Sequence, residues 1–264
     1  MGTKAASGMM VLKGLADFYV KGRKAWVLIF MSMYCLGGCS ILKFFGRGDR
    51  DGGNARHGKE CKLGVEYDSV QVGVQVWMSR NLDVSCFRNG EEIPEARSAE
   101  EWRRAAEEGC PAWCYYDNDP ENGKIYGKLY NWYAVVDPRG LAPEGWRIPT
   151  VRDFEVLKEY IGGSWIDADA LIYSEWYPTT NTTGFRAMLG GFRLWNGEFG
   201  MMGEKVDFWA IDTFRGDSRM AYALSLSFFD FIGSECSWLA PSSKKNGYYV
   251  RCIREGPARG PCPP

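Results

Sequence analysis

Two helix-start signals followed by a long run of short strands divide the chain into two unlike halves. The first signal is a capping box formed by Ser98 and Glu101. The second is formed by Thr150 and Asp153, ahead of apolar residues at helical spacing. Glycines close both runs, and Ser164 is a candidate start for a third, shorter helix. The first half is therefore predicted to contain two or three helices.

Short strands with tight turns dominate the second half. After Gly184 the segments FRAMLGGFRLWNGEFGMM, KVDFWAIDTF, RMAYALSLSF and GYYVRCIRE have strand character, and Asn196-Gly197 is a typical hairpin turn. A further hairpin is expected in YDSVQVGVQVWMSRNL around a turn that begins at Gly73, although one continuous strand fits the same pattern. Helices first and antiparallel strands afterwards indicate an α+β domain.

Composition excludes several kinds of chemistry. The single histidine, His57, lies before the first strand pattern, so the folded region lacks Ser-His and Cys-His nucleophile pairs and histidine-bound zinc unless His57 folds back to supply them. Lys and Arg number 32 against 33 Asp and Glu, and no basic run interleaves with aromatic residues, so no nucleic-acid partner is expected. No catalytic residue and no cofactor are predicted.

The N-terminus reads as an export signal. Lys21, Arg23 and Lys24 precede a largely apolar stretch, residues 25–36, which is too short to span a bilayer and suits a secretory signal. It ends in Leu-Gly-Gly-Cys, which resembles the bacterial lipobox and predicts lipid attachment at Cys39. Because more than twenty residues precede the apolar stretch, translation is expected to start nearer Met10 or Val20.

The predicted organisation follows from these signals. Residues 1–39 form the signal peptide, 40–60 a flexible tether rich in glycine and charge, 61–255 the folded domain and 256–264 a disordered tail. The expected location is the cell envelope, lipid-anchored in the outer membrane on either face. Seven cysteines remain after Cys35 and Cys39 are set aside from the nine, and this odd number leaves one thiol unpaired or linked to another chain.

Six ordered sequence blocks resemble the Fibrobacter succinogenes major paralogous domain, a family of exported bacterial modules. The blocks are VGVQVWMSRNLDV, FRNGEEIPE, WCYYDNDPENGKIYGKLYNWYAV, APEGWRIPTVRDFEVL, LGGFRLWNGEF and GYYVRCIRE. The resemblance implies a C-type-lectin-like fold related to formylglycine-generating factors, in which Arg147, Pro149 and Thr150 begin a helix and the last strand returns beside the first. Where family members often carry a cysteine, this chain has Ala142-Pro143-Glu144, so the resemblance suggests Cys236 as a substitute disulfide partner for Cys252.

Three functions are compatible with these patterns. The first is a lectin-like binding or adhesion module for a glycan, peptide or partner protein, with contact residues among the aromatic side chains of turn-rich stretches: Trp176, Tyr177, Trp195, Tyr115 and Tyr116. The alternative is a structural subunit of a surface assembly. A formylglycine-generating enzyme is a third reading, but it needs a reactive cysteine pair in an exposed groove, and only Cys236 and Cys252 lie in the corresponding region.

The stretch YDNDPENGKIYGKLYNW contains weak calcium candidates. Asp117, Asp119 and Glu121 alternate as calcium ligands do, but the required glycine falls one place late and position twelve is Lys128 instead of a glutamate. Residues 117–123 are therefore predicted to form an exposed turn, and residues 126–132 the segment that docks this turn on the core. No metal site is predicted.

Overall fold

The computed structural model describes residues 66–163, 165–175, 179–227 and 238–254. All of them lie in the second of the two units into which the chain divides, His57–Pro264. In the part of the chain so described, no helix is long and apolar enough to cross a membrane.

The described residues combine helices with several sheets. The α-helices are α1 (Ala99–Glu108), α2 (Pro120–Tyr126), α3 (Trp132–Val135) and α4 (Val151–Tyr160), with 3₁₀ turns at Tyr116–Asn118 and Trp165–Ala170. The strands are β1 (Ser69–Val72), β2 (Gln75–Met78), β3 (Trp113–Cys114), β4 (Leu129–Tyr130), β5 (Trp146–Arg147), β6 (Ile172–Tyr173), β7 (Ala187–Met188), β8 (Gly190–Arg193), β9 (Phe199–Met202), β10 (Lys205–Thr213), β11 (Met220–Ser227), β12 (Leu239–Ser243) and β13 (Ile253–Arg254). The predicted α+β class is confirmed at this level.

The two long helices begin where the capping residues predict. At α1 the Ser98 hydroxyl accepts from the Glu101 N–H at 3.1 Å, whereas the Glu101 carboxylate accepts from the backbone of Arg97 instead of closing the box. At α4 the box is complete, because Thr150 and Asp153 each accept from the backbone N–H of the other. Helix starts with side-chain acceptors are thus recoverable from sequence, since the signal is local.

The strands form two main sheets. The four-stranded sheet has the order β1-β2-β13-β5, and the five-stranded sheet has the order β12-β11-β10-β8-β9. The hairpin of β1 and β2 forms as predicted around Gly73. The last strand, β13, pairs with β2 on one side and β5 on the other, so the end of the domain lies inside the first sheet.

Several elements differ from the expectation. The predicted turn at residues 117–123 is in fact a 3₁₀ turn followed by the start of α2, because Asp119 caps that helix and Pro120 occupies its first position. In the described part of the segment GYYVRCIRE, only Ile253 and Arg254 form a strand, while Tyr248 and Tyr249 make isolated bridges. Not all pairings in the second half are antiparallel, since β8 pairs with β10 in parallel and β6 with β7 likewise.

The long hairpin of β10 and β11 separates two apolar cores. On β10, Val206 and Phe208 face the first core, which also receives Phe154 and Leu157 from α4. The intervening Trp209 faces the second core. That core is rich in tryptophan and tyrosine, contributed by Trp113, Tyr130, Trp132 and Trp146. Because side chains alternate along a strand, this hairpin has buried side chains on both of its faces, one set in each core.

Candidate functional site

Among the predicted contact residues that the structure describes, Trp195 is the one that presents its ring to solvent. Its side chain is 56% exposed, in the turn between β8 and β9, residues 194–198, which we call the Trp195 turn. The Leu194 N–H donates to the Glu198 carbonyl at 2.8 Å, and the Asn196 side chain both donates to the Glu198 carboxylate and accepts from its N–H. Internal hydrogen bonds thus close the turn and orient the indole outward.

Two neighbouring segments fix the Trp195 turn on the domain. The backbone N–H of Trp195 donates to Oδ1 of Asn246 at 3.0 Å, and Nδ2 of Asn246 donates in turn to the Tyr248 hydroxyl. On the other side Gly197 lies so close to Ala99 that an added Cβ would come within 2.6 Å of it. The turn is therefore wedged between the start of α1 and the segment before β13.

A buried arginine lies beneath the turn. Arg193 is fully buried, and its Nε donates to the Gly197 carbonyl at 3.1 Å while Nη1 donates to the Ala96 carbonyl at 3.0 Å. The guanidinium lies 5.0 Å from the Trp102 ring centroid and 4.6 Å from that of Phe199. Such cation–ring packing accommodates a charge in a site without bulk water. The guanidinium thereby ties the Trp195 turn to the segment that leads into α1.

The two predicted tyrosines do not join Trp195 on this surface. Tyr116 is buried, with its ring 5.1 Å from that of Phe199, so the expectation that it contacts a ligand is corrected. Tyr115 is half-buried, with its ring 5.1 Å from that of Trp113. Burial, assisted by Asp83 and Glu95, raises the pKa of Tyr115 to about 12, so its phenol stays protonated. Both tyrosines act as packing residues.

The three weak calcium candidates are engaged within their own segment. Asp119 accepts from the Glu121 N–H as the cap of α2, and Glu121 pairs with Lys124 at 2.6 Å. Asp117 is exposed in a left-handed conformation, with φ of 53°. Across the described ranges, no group of three or more His, Cys, Asp or Glu side chains is arranged to hold a metal ion.

The cysteines give no exposed reactive pair among the described residues. Cys252 is a free thiol, in contrast to the disulfide predicted with Cys236, which lies outside the described residues. It is fully buried, and burial raises its pKa to about 12, so it is not a thiolate at neutral pH. Cys114 is likewise free and buried, Cys110 is free and exposed, and Cys86 is disulfide-bonded.

The remaining predicted site residues cannot be placed. Trp176, Tyr177 and the lipid-attachment residue Cys39 lie outside the described residues, as do the predicted signal, tether and tail.

Sequence comparison places this architecture in a known family. The model of the Fibrobacter succinogenes major domain matches residues 70–254, which cover most of the chain and all of the described helices. The chain belongs to this family. No curated protein and no solved structure matches it. Trp195, Arg193 and Asn246 all lie within the Fibrobacter succinogenes major domain, whereas Cys39 precedes it.

Two residues that shape the site had no signal in the sequence. Arg193 is a charged residue in a strand, where exposure is the usual expectation, and its burial depends on Trp102 from α1. Asn246 reaches Trp195 from a segment 51 positions further along the chain. Trp195 itself was recognisable because an aromatic residue beside an Asn-Gly turn is normally displayed at a hairpin end.

Proposed function

We propose that this protein is a non-catalytic lipoprotein of the bacterial cell envelope that binds a glycan or a partner protein through the Trp195 turn. One observation carries the proposal: a large aromatic ring, 56% exposed, stands on a turn that is hydrogen-bonded internally and to the domain. A rigid indole offers apolar contact area at low entropic cost, which suits stacking on a sugar ring or anchoring a protein interface. Polar groups of Asn196 and Glu198 beside the ring supply hydrogen-bonding partners.

We also propose a C-type-lectin-like arrangement for the domain. Its support is the insertion of β13 between β2 and β5, because a chain end that returns beside the first hairpin is what the family resemblance implies. The anchor is proposed at Cys39, on the strength of the Leu-Gly-Gly-Cys motif after a basic and then apolar stretch. The disulfide at Cys86 fits an exported chain, since disulfides persist in oxidising compartments.

The binding proposal is tested by replacing Trp195. The purified protein is applied in detergent to a glycan array and to an envelope-protein panel, together with Trp195→Ala and Tyr160→Ala. Tyr160 is a matched control because its ring is 58% exposed but lies on α4. Loss of a central anchor costs about 2 kcal/mol, so we expect Trp195→Ala to weaken binding about thirtyfold while Tyr160→Ala binds normally.

Two kinds of result would contradict these proposals, one for the Trp195 turn and one for the lipid anchor. Binding that is equally strong in Trp195→Ala, or absent from both panels with wild-type protein, would contradict the proposed role of the Trp195 turn. The anchor is tested separately by growing cells with globomycin and with the Cys39→Ala variant. Accumulation of an unprocessed form in both cases is expected, and full-length wild-type protein with a free Cys39 would contradict the anchor.

A further inference from the structure

Lys128 is a buried amine held against a carboxylate. Its side chain is 3% exposed, and Nζ donates both to the Asp83 carboxylate and, at 2.9 Å, to the Asp83 carbonyl oxygen. Nζ also lies 4.5 Å from the ring centroid of Trp113 and 5.1 Å from that of Tyr115. The amine is thus enclosed by aromatic faces on one side and by Asp83 on the other.

The backbone keeps these two side chains together. The segment around Asp83 runs along the segment around Lys128, and three hydrogen bonds join them. The Asn81 side chain donates to the Tyr126 carbonyl at 2.8 Å, the Lys128 N–H to the Leu82 carbonyl at 3.3 Å, and the Tyr130 hydroxyl to the Val84 carbonyl at 2.7 Å. These bonds hold the two segments side by side, with the Lys128 amine against the Asp83 carboxylate.

Folding removes the Lys128 amine from water, whereas the Asp83 carboxylate keeps part of its surface exposed. Burying an ammonium costs free energy, and the nearby rings and carboxylate offset only part of the hydration that is lost. Transfer of one proton along the existing hydrogen bond converts the ion pair into a neutral amine and a carboxylic acid. The Asp83 side chain is 52% exposed on its outer side, which leaves a route by which a small product can depart.

We propose that Lys128 and Asp83 condense to an intramolecular amide, an isopeptide bond between Nζ and Cγ. The ammonium first passes a proton to the carboxylate, and the neutral amine then attacks Cγ. The Nζ–Cγ bond forms, one Cγ–O bond breaks, and the departing hydroxyl takes a second proton from nitrogen and leaves as water. The step is redox-neutral and needs no cofactor. Held reactants reach effective molarities on the order of 10⁵ M or more, which drives a condensation that is unfavourable between free partners in water.

A peptide map of the wild-type full chain tests the bond directly. The protein is denatured, reduced, alkylated and digested with trypsin, which cannot cleave after an acylated lysine. We expect peptide 81–88 joined to peptide 125–139, uncleaved at Lys128 and lighter than the sum of the two by one water molecule. Fragmentation should place the link between Asp83 and Lys128. Recovery of only the unlinked peptides 81–88, 125–128 and 129–139 would overturn the proposal.

Three variants control the assignment. Lys128→Arg removes the acylatable amine and Asp83→Ala removes the carboxyl group, so each should abolish the linked peptide pair. Lys124→Arg changes a lysine of the same segment that pairs with Glu121 at the surface, and should leave the linked fraction at the wild-type level. A linked pair that persists in Lys128→Arg or Asp83→Ala would overturn the assignment. The readout is a mass and does not depend on the binding function.

Discussion

Arg193 shows how a single buried cation can hold a surface turn in place. Its guanidinium donates to the carbonyls of Gly197 and Ala96 and packs between the rings of Trp102 and Phe199. Lysine carries the same charge but lacks the planar fork that reaches two acceptors at once. The residue therefore acts through geometry as well as charge.

Replacing Arg193 by lysine is expected to destabilise the domain. Hydrogen bonds to a charged group are worth about 1.5 to 3 kcal/mol, so Arg193→Lys should lower the free energy of unfolding by about 2 to 3 kcal/mol in urea at neutral pH. Arg219→Lys is the control, because Arg219 is 85% exposed and pairs with Asp217 at the surface, where the change should stay within about 0.5 kcal/mol. Equal effects of the two substitutions would contradict the structural role of Arg193.

At the scale of elements, Asp153 links the start of α4 to β5. Burial raises the pKa of its carboxyl group, but the hydrogen bonds from Arg147 and Thr150 outweigh burial and lower the pKa below the ordinary value of 3.8. The Arg147 guanidinium donates to both carboxylate oxygens, at 2.6 and 2.7 Å. A carboxyl group with a lowered pKa in the folded state stabilises the protein above its unfolded pKa, and this contribution is lost as the pH falls through the folded pKa.

Asp153→Asn should consequently have a pH-dependent cost. We expect it to reduce the free energy of unfolding by about 1 to 2 kcal/mol at pH 7, and the difference from wild type to shrink as the pH falls below 3.8. Urea titrations at neutral and acidic pH measure both values. Glu155→Gln, in a surface pair with Arg152, should change little at either pH. A cost for Asp153→Asn that is the same at both pH values would refute the linkage.

The two turns that flank β9 allow the cost of backbone strain to be measured apart from the cost of a steric clash. Gly197 and Gly203 both have positive φ, 89° and 77°, but an added Cβ at Gly197 would clash with Ala99 whereas nothing lies within 4 Å of one at Gly203. We expect Gly203→Ala to cost about 1 kcal/mol for the backbone alone, and Gly197→Ala to cost about 1 to 3 kcal/mol more for the displaced helix start. Thermal unfolding of both variants checks the order. Equal costs would mean that the Trp195 turn is not wedged against α1.

The elements that could be predicted are those with local chemical signals. Thr150 and Asp153 mark a helix start by their own hydrogen bonds, and Asn196-Gly197 marks a hairpin by its preferred backbone angles. The short elements α2 and α3 were not predicted because four to seven residues carry too little periodicity. Strand β12 was not predicted because it contains Pro241, and proline argues against a strand except at the edge of a sheet. The burial of Arg193 depends on distant rings, which no local pattern records.

At the scale of the whole molecule, the two cores are expected to unfold together. The hairpin of β10 and β11 gives alternate side chains to each core, so neither can lose its packing while the other keeps its strands. Tryptophan fluorescence and far-ultraviolet circular dichroism should give the same midpoint in urea. Trp209→Phe changes a side chain of the second core only, and it should lower the urea midpoint measured by both methods to the same extent. Two separated transitions would show that the cores are independent.

The inner position of β13 also affects how the domain can be made. A strand that pairs with β2 on one side and β5 on the other is missing from every shorter, growing chain. The first sheet therefore cannot close before Ile253 and Arg254 have been made, and β2 and β5 pair with β13 only at that point. Closure of this sheet is thus a late step in folding, because one of its two inner strands comes last in the chain order of the domain.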